Sequence, residues 1–173
     1  MEYLDLYDSN KNKLNKKIVR GNYTFKDNEH ILISVIFIEN NNNEFLIQLT
    51  SKNKGSIYSS TGGHVTSGSN ELDTIVKELY EELGLVIDKK EITFIKDITI
   101  NVPIFSLYYL KKDINNVILE KDEVEDVSYL TKEEILKLID TNKFLTSHGI
   151  LFKELLEYKN NEQKILWSLW RKI

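Results

Sequence analysis

The chain has 173 residues, 41% of them hydrophobic, a formal charge of −4 and no cysteine. That length suits one core of ordinary size, and the mild acidity speaks against a protein that coats nucleic acid. The missing thiols exclude disulfides, thiolate metal sites and a cysteine nucleophile. No stretch approaches the roughly 20 apolar residues of a membrane-spanning helix. The start, Met1-Glu2-Tyr3-Leu4-Asp5, is acidic and lacks the basic region and apolar run of a secretory signal, so a cytoplasmic location is expected.

Taken in order, the chain opens with a predicted hairpin: residues 3–7, a turn at 9–12, then 17–20. Residues 31–39 form a strongly apolar strand candidate, and the asparagine turn 40–43 leads to a second at 44–50. Ser59-Ser60-Thr61-Gly62-Gly63 reads as a small turn. Gly68, Ser69 and Asn70 then offer helix-capping residues, with Asp73 placed to answer Asn70 across the first turn. Leu72, Ile75, Val76, Leu79 and Leu83 make an apolar stripe of helical period, and Gly84 is the expected left-handed stop.

On a neighbouring face of this helix, Glu78, Glu81 and Glu82 stand at i, i+3 and i+4. Such spacing stacks three like charges a turn apart, which repels unless a cation lies among them. A hard divalent cation such as Mg²⁺ takes carboxylate oxygens. A solvated acidic helix face is the other reading of the same three residues.

Strands are expected next at 92–100, 102–111 and 124–130. Thr131 and Glu134 form a capping box that opens a helix running to about Ile139. A further helix is expected over 145–158, and then an amphipathic segment with Ile165, Leu166, Leu169 and Trp170. Trp167 and Trp170 suit either a core or a homodimer contact. The pattern alone amounts to mixed α/β without an internal linker.

The segment from Gly63 to Leu85 resembles the Nudix box, Gly-x5-Glu-x7-Arg-Glu-U-x-Glu-Glu-x-Gly-U, with U a bulky aliphatic residue. The match runs from Gly63 through Glu78, Leu79, Glu81, Glu82, Gly84 and Leu85 without a gap. Ser69 stands where the family has its first glutamate, and Lys77 where it has arginine. Those two family residues mainly brace the loop against the helix. Lys77 keeps the charge but loses the planar fork that holds a carboxylate bidentately.

The resemblance implies one Nudix domain over 1–173, an α/β/α sandwich with a mixed β-sheet. It has a hairpin extension at 1–25, the box at 63–85 and C-terminal helices at 131–173. The opening also resembles the extension of Nudix proteins related to isopentenyl-diphosphate isomerase. Isomerisation by that family's enzymes uses a cysteine, which this chain lacks.

The implied activity is Mg²⁺-dependent hydrolysis, with Mn²⁺ as substitute, of a nucleoside diphosphate linked to another moiety, by water attack at phosphorus. By the same resemblance Glu78 polarises the water, Glu81 and Glu82 ligate metal, and the Gly63 carbonyl adds a ligand. Glu123, just before a strand, is the chosen carboxylate from outside the box; a solvated acidic loop is its alternative. Arg20, Lys52 and Lys54 are the candidates for phosphate, with a structural ion pair or simple exposure as alternatives. Arg171 is the only other arginine. His64 follows the glycine pair in a packing role, and His30 and His148 are read as structural. The expected partner is a small nucleoside diphosphate derivative, with no membrane and no stable nucleic-acid complex. A catalytically silent Nudix fold that binds a nucleotide or a protein is the competing class.

Overall fold

In the computed structural model, residues 1–170 are described, without the side chains of residues 165–170. The expectations for Trp167, Trp170 and Arg171 therefore lie outside the described residues. Strands β1 (Tyr3–Tyr7) and β2 (Lys13–Val19) form the N-terminal hairpin, a two-stranded sheet of its own. A larger mixed sheet is built from β3 (Leu32–Glu39), β4 (Phe45–Thr50), β5 (Tyr58–Ser59), β6 (Thr61–His64), β7 (Thr93–Thr99), β8 (Ile104–Lys111) and β9 (Val124–Leu130). β3 pairs parallel with β8 from Leu32↔Ile104 to Glu39↔Lys111, and antiparallel with β6.

β3 reads as a near-continuous apolar run because both of its faces are covered. Helix α1 (Glu71–Leu83) covers one face, with Ile75, Leu79 and Leu83 against Ile36, Ile38 and Leu110. Helices α2 (Lys132–Asp140) and α3 (Thr146–Trp170) cover the other, where Ile135, Leu151, Phe152 and Leu155 meet Val35, Phe37, Phe45 and Ile47. The Phe152 ring sits 5.3 Å from Phe37 and 5.0 Å from Phe45. This is the expected α/β/α sandwich.

Three local readings change. The second hairpin strand begins at Lys13, well before the expected 17–20. The C-terminal segments form one helix, α3, because nothing between residues 158 and 165 breaks it. The Thr-Gly-Gly-His segment is strand β6, not a turn. Its glycine content reflects crowding: a Cβ on Gly62 would stand 2.5 Å from the Ser34 carbonyl oxygen. None of the described helices is long and apolar enough to cross a membrane.

Candidate functional site

Helix α1 is fixed at both ends by the residues its sequence offers. Asn70 Oδ1 accepts from Asp73 N at 2.9 Å, and Gly84 closes the helix at φ 66°. The 3.6-residue period then turns Ile75, Leu79 and Leu83 into the core and carries Glu78, Glu81 and Glu82 to the edge of a cleft of about 890 Å³. That size suits a small-molecule ligand. β6 forms the adjacent wall, and Gly63 faces the helix so closely that a Cβ there would displace the Glu78 carboxyl group. The missing Cβ leaves the room in which the Glu78 carboxyl group lies against the strand.

The three glutamates have different surroundings. Glu82 is 8% exposed, and burial, joined by the charges of Glu78 and Glu81, pushes its carboxyl up to about 7. Burial also raises Glu78, again with help from Glu81. Glu81 is exposed and pairs with Lys77 at 2.8 Å. Two carboxylates held in a desolvated cleft against their own repulsion are donors suited to a hard cation.

One strand residue supports this group and was not singled out from sequence. Gln48, in the middle of β4 and 4% exposed, donates from Nε2 to Glu82 Oε2 at 2.9 Å and to the Ser60 carbonyl at 3.4 Å. Both partners are acceptors, which fixes the orientation of the amide. Its Oε1 is buried with no hydrogen-bond partner. A polar residue in an otherwise apolar strand, Phe-Leu-Ile-Gln-Leu, was the available signal.

The other expected residues divide. Arg20, Lys54 and Glu123 line the same cleft as Gly63 and the three glutamates. Arg20 Nη1 pairs with Glu2 at 2.7 Å, and Lys54 forms an ion pair with Glu123. Lys52 does not reach the cleft. It lies in a 3₁₀ turn, Lys52–Lys54, whose three-residue period sends positions 52 and 54 in different directions, and it lines a separate depression with Lys121 and Glu125. Among the described residues no three His, Asp or Glu side chains converge as a cation cage. Glu81 turns to Lys77 and Glu123 to Lys54 instead.

The histidines also differ from one another. His148, read as structural, accepts from Ser60 N at 3.1 Å through Nδ1, and burial lowers it to about 4. His64 borders the cleft, held neutral by burial and by Arg20. His30 bonds the Val102 carbonyl at 2.7 Å.

Residues 29–147 match the NUDIX domain family model. The chain belongs to the Nudix family. An uncharacterised Nudix hydrolase of Listeria monocytogenes is 27% identical over 151 residues, 84% of this chain and 89% of that protein. The crystal structure of DR0079 from Deinococcus radiodurans shares the Nudix fold with a TM-score of 0.75 at 20% identity, covering 88% of this chain and 98% of that one. The Nudix domain of Shewanella oneidensis NrtR, crystallised with ADP ribose, gives 0.61 at 14% identity, over 79% and 93% of the two chains.

Proposed function

We propose that this Nudix protein is a Mg²⁺-dependent hydrolase, with Mn²⁺ as substitute, that cleaves a nucleoside diphosphate linked to another moiety. The observation that carries the reading is the packing of Glu78 against Gly63 with Glu82 buried beside it. Family spacing, backbone approach and carboxylate desolvation meet there in one cleft.

Glu78, Glu81, Glu82 and the Gly63 carbonyl would hold the cation, with Glu123 from across the cleft. To join, Glu81 exchanges Lys77 for the cation, and Glu123 exchanges Lys54. When bound, the cation neutralises diphosphate charge and lowers the pKa of a coordinated water. The protein's own task is then positioning and charge balance, which phosphoryl chemistry chiefly demands. Glu78 takes the proton of the attacking water at its carboxylate. Lys54, once released from Glu123, meets a phosphate oxygen as a point charge. Arg20 offers its guanidinium from the hairpin side, where Glu2 holds it over the cleft.

A diphosphate ligand agrees with the ADP ribose bound by the NrtR domain. The same likeness supports a second reading, a module that binds such a ligand without cleaving it. A panel of nucleoside triphosphates, nucleotide sugars, dinucleotides and ADP-ribose, incubated with Mg²⁺ and followed by ³¹P NMR, separates the two. Hydrolysis gives new phosphate resonances for at least one member; binding without products supports the silent module.

A further inference from the structure

The β1–β2 hairpin stands outside the large sheet, yet it is tied twice to the entrance of α1. The first tie is Asp5, a carboxylate only 2% exposed. It accepts from Ser67 Oγ at 3.0 Å and from Gly68 N at 3.2 Å, and Lys13 Nζ lies 2.7 Å away. Backbone contacts run alongside: Ser67 N donates to the Tyr3 carbonyl at 2.8 Å, and Leu4 bridges to Thr66. Burial alone would raise the Asp5 carboxyl, but Lys13, Ser67 and Gly68 hold it below its usual range. A buried carboxylate is tolerated only with such a set of donors.

The second tie is Lys11, at the hairpin turn with φ 60°. Its Nζ lies 2.5 Å from Glu71 Oε1, 2.9 Å from Asp97 Oδ2 and 3.3 Å from Ser106 Oγ. One ammonium therefore joins the first residue of α1 to β7 and β8. The hairpin is anchored in turn by Leu4, Leu6 and Ile18, buried with Ile31.

The first tie falls within residues 65–70, the segment that carries the chain from β6 into α1, and the second falls at its end, on Glu71. Val65 N bonds the Leu32 carbonyl and Ser69 N the Thr66 carbonyl, both at 2.9 Å, while residues 66–68 take their long-range hold from the hairpin. Gly68 has φ 88°, and Ser69 Oγ meets the Asn70 carbonyl at 3.4 Å. Lys77 points to Glu81, not back to the loop. Gly63 is held by the sheet, and α1 rests on that sheet through Ile75, Leu79 and Leu83; the hairpin ties add the restraint on how its first turn leaves the loop.

We infer that the hairpin is a clamp on the first turn of α1 which, together with the core packing of that helix, sets the spacing between Gly63 on β6 and the glutamates of α1, with Asp5 and Lys11 as its positioning residues. The coupling to metal rests on the proposed function; the clamp rests on the contacts alone. The test uses the full chain as Asp5→Ala, Asp5→Asn and Lys11→Met. Two quantities are read on protein that is folded by circular dichroism: hydrogen exchange of residues 65–74, and Mn²⁺ affinity by EPR.

Asp5→Ala and Lys11→Met should speed exchange there while β3 stays protected, and weaken Mn²⁺ binding about tenfold, the range seen when outer-shell partners of a metal site are lost. Asp5→Asn, which keeps one acceptor oxygen where Asp5 uses two, should recover only part of both. Unchanged exchange in both variants overturns the clamp. Faster exchange with unaltered Mn²⁺ affinity overturns the positioning role. If Asp5→Ala does not fold, the partly exposed Lys11 decides by the same criteria. If wild type binds no Mn²⁺, the metal reading fails, and exchange still judges the clamp.

Discussion

Gln48 Nε2 stands 2.9 Å from Glu82 Oε2, so the middle of β4 is hydrogen-bonded to the penultimate residue of α1. Both residues line the cleft, and the bond fixes one oxygen of Glu82 while the other is free to take a ligand. Gln48→Leu should leave the fold intact and weaken Mn²⁺ binding about tenfold or more, as loss of a partner that orients a metal ligand does. An EPR titration checks this; equal affinity would remove Gln48 from the site.

Glu82 gives a pH prediction with a definite sign. Its folded pKa is raised to about 7 from 4.5, so between those values the folded state binds more protons than the unfolded. Its contribution is therefore lost as pH rises through that window. Glu82→Gln removes the effect. In EDTA the variant should gain on wild type between pH 5 and pH 8, by at most about 3 kcal/mol. Urea unfolding at the two pH values measures it. Adding millimolar Mg²⁺ at pH 8 should reverse the order, because wild type gains stability by mass action and the variant gains much less. A wild-type melt unmoved by Mg²⁺ or Mn²⁺ would count against the cation site.

Lys77 pairs with Glu81 at 2.8 Å and would compete with a cation held there. Lys77→Met should tighten Mn²⁺ binding a few-fold, and the gain should shrink at high salt, where exposed charges are screened. Weaker binding in the variant would mean that Lys77 shapes the site through contacts other than this pair.

Much of this arrangement is legible in the sequence, for physical reasons. The helix face, the Asn70 cap, the Gly84 stop and the Thr131–Glu134 capping box are local, so spacing along the chain is enough to find them. The strands around β3 show in their apolar runs. What stays hidden depends on partners distant in sequence. Gln48 meets Glu82 across 34 residues, and Lys11 meets Asp97 across 86. Strand β6 is masked because its glycines answer crowding from β3 and from Glu78, while glycine in sequence signals a turn. Lys52 and Lys54 look equivalent as letters, and the 3₁₀ turn between them separates their directions.

Hydrolysis as proposed requires the Glu78 carboxylate, pressed against Gly63, to take the proton of the attacking water. Single-turnover cleavage of whichever diphosphate the panel identifies, in saturating Mg²⁺, tests it most directly when wild type is compared with Glu78→Gln. That variant keeps the size of the side chain, so it should fold normally and bind substrate with little change. Its cleavage rate should fall by about 10² or more, the usual scale for losing a general base. A Glu78→Gln protein that cleaves at the wild-type rate, or a wild type that binds the ligand and never releases product, would contradict the account.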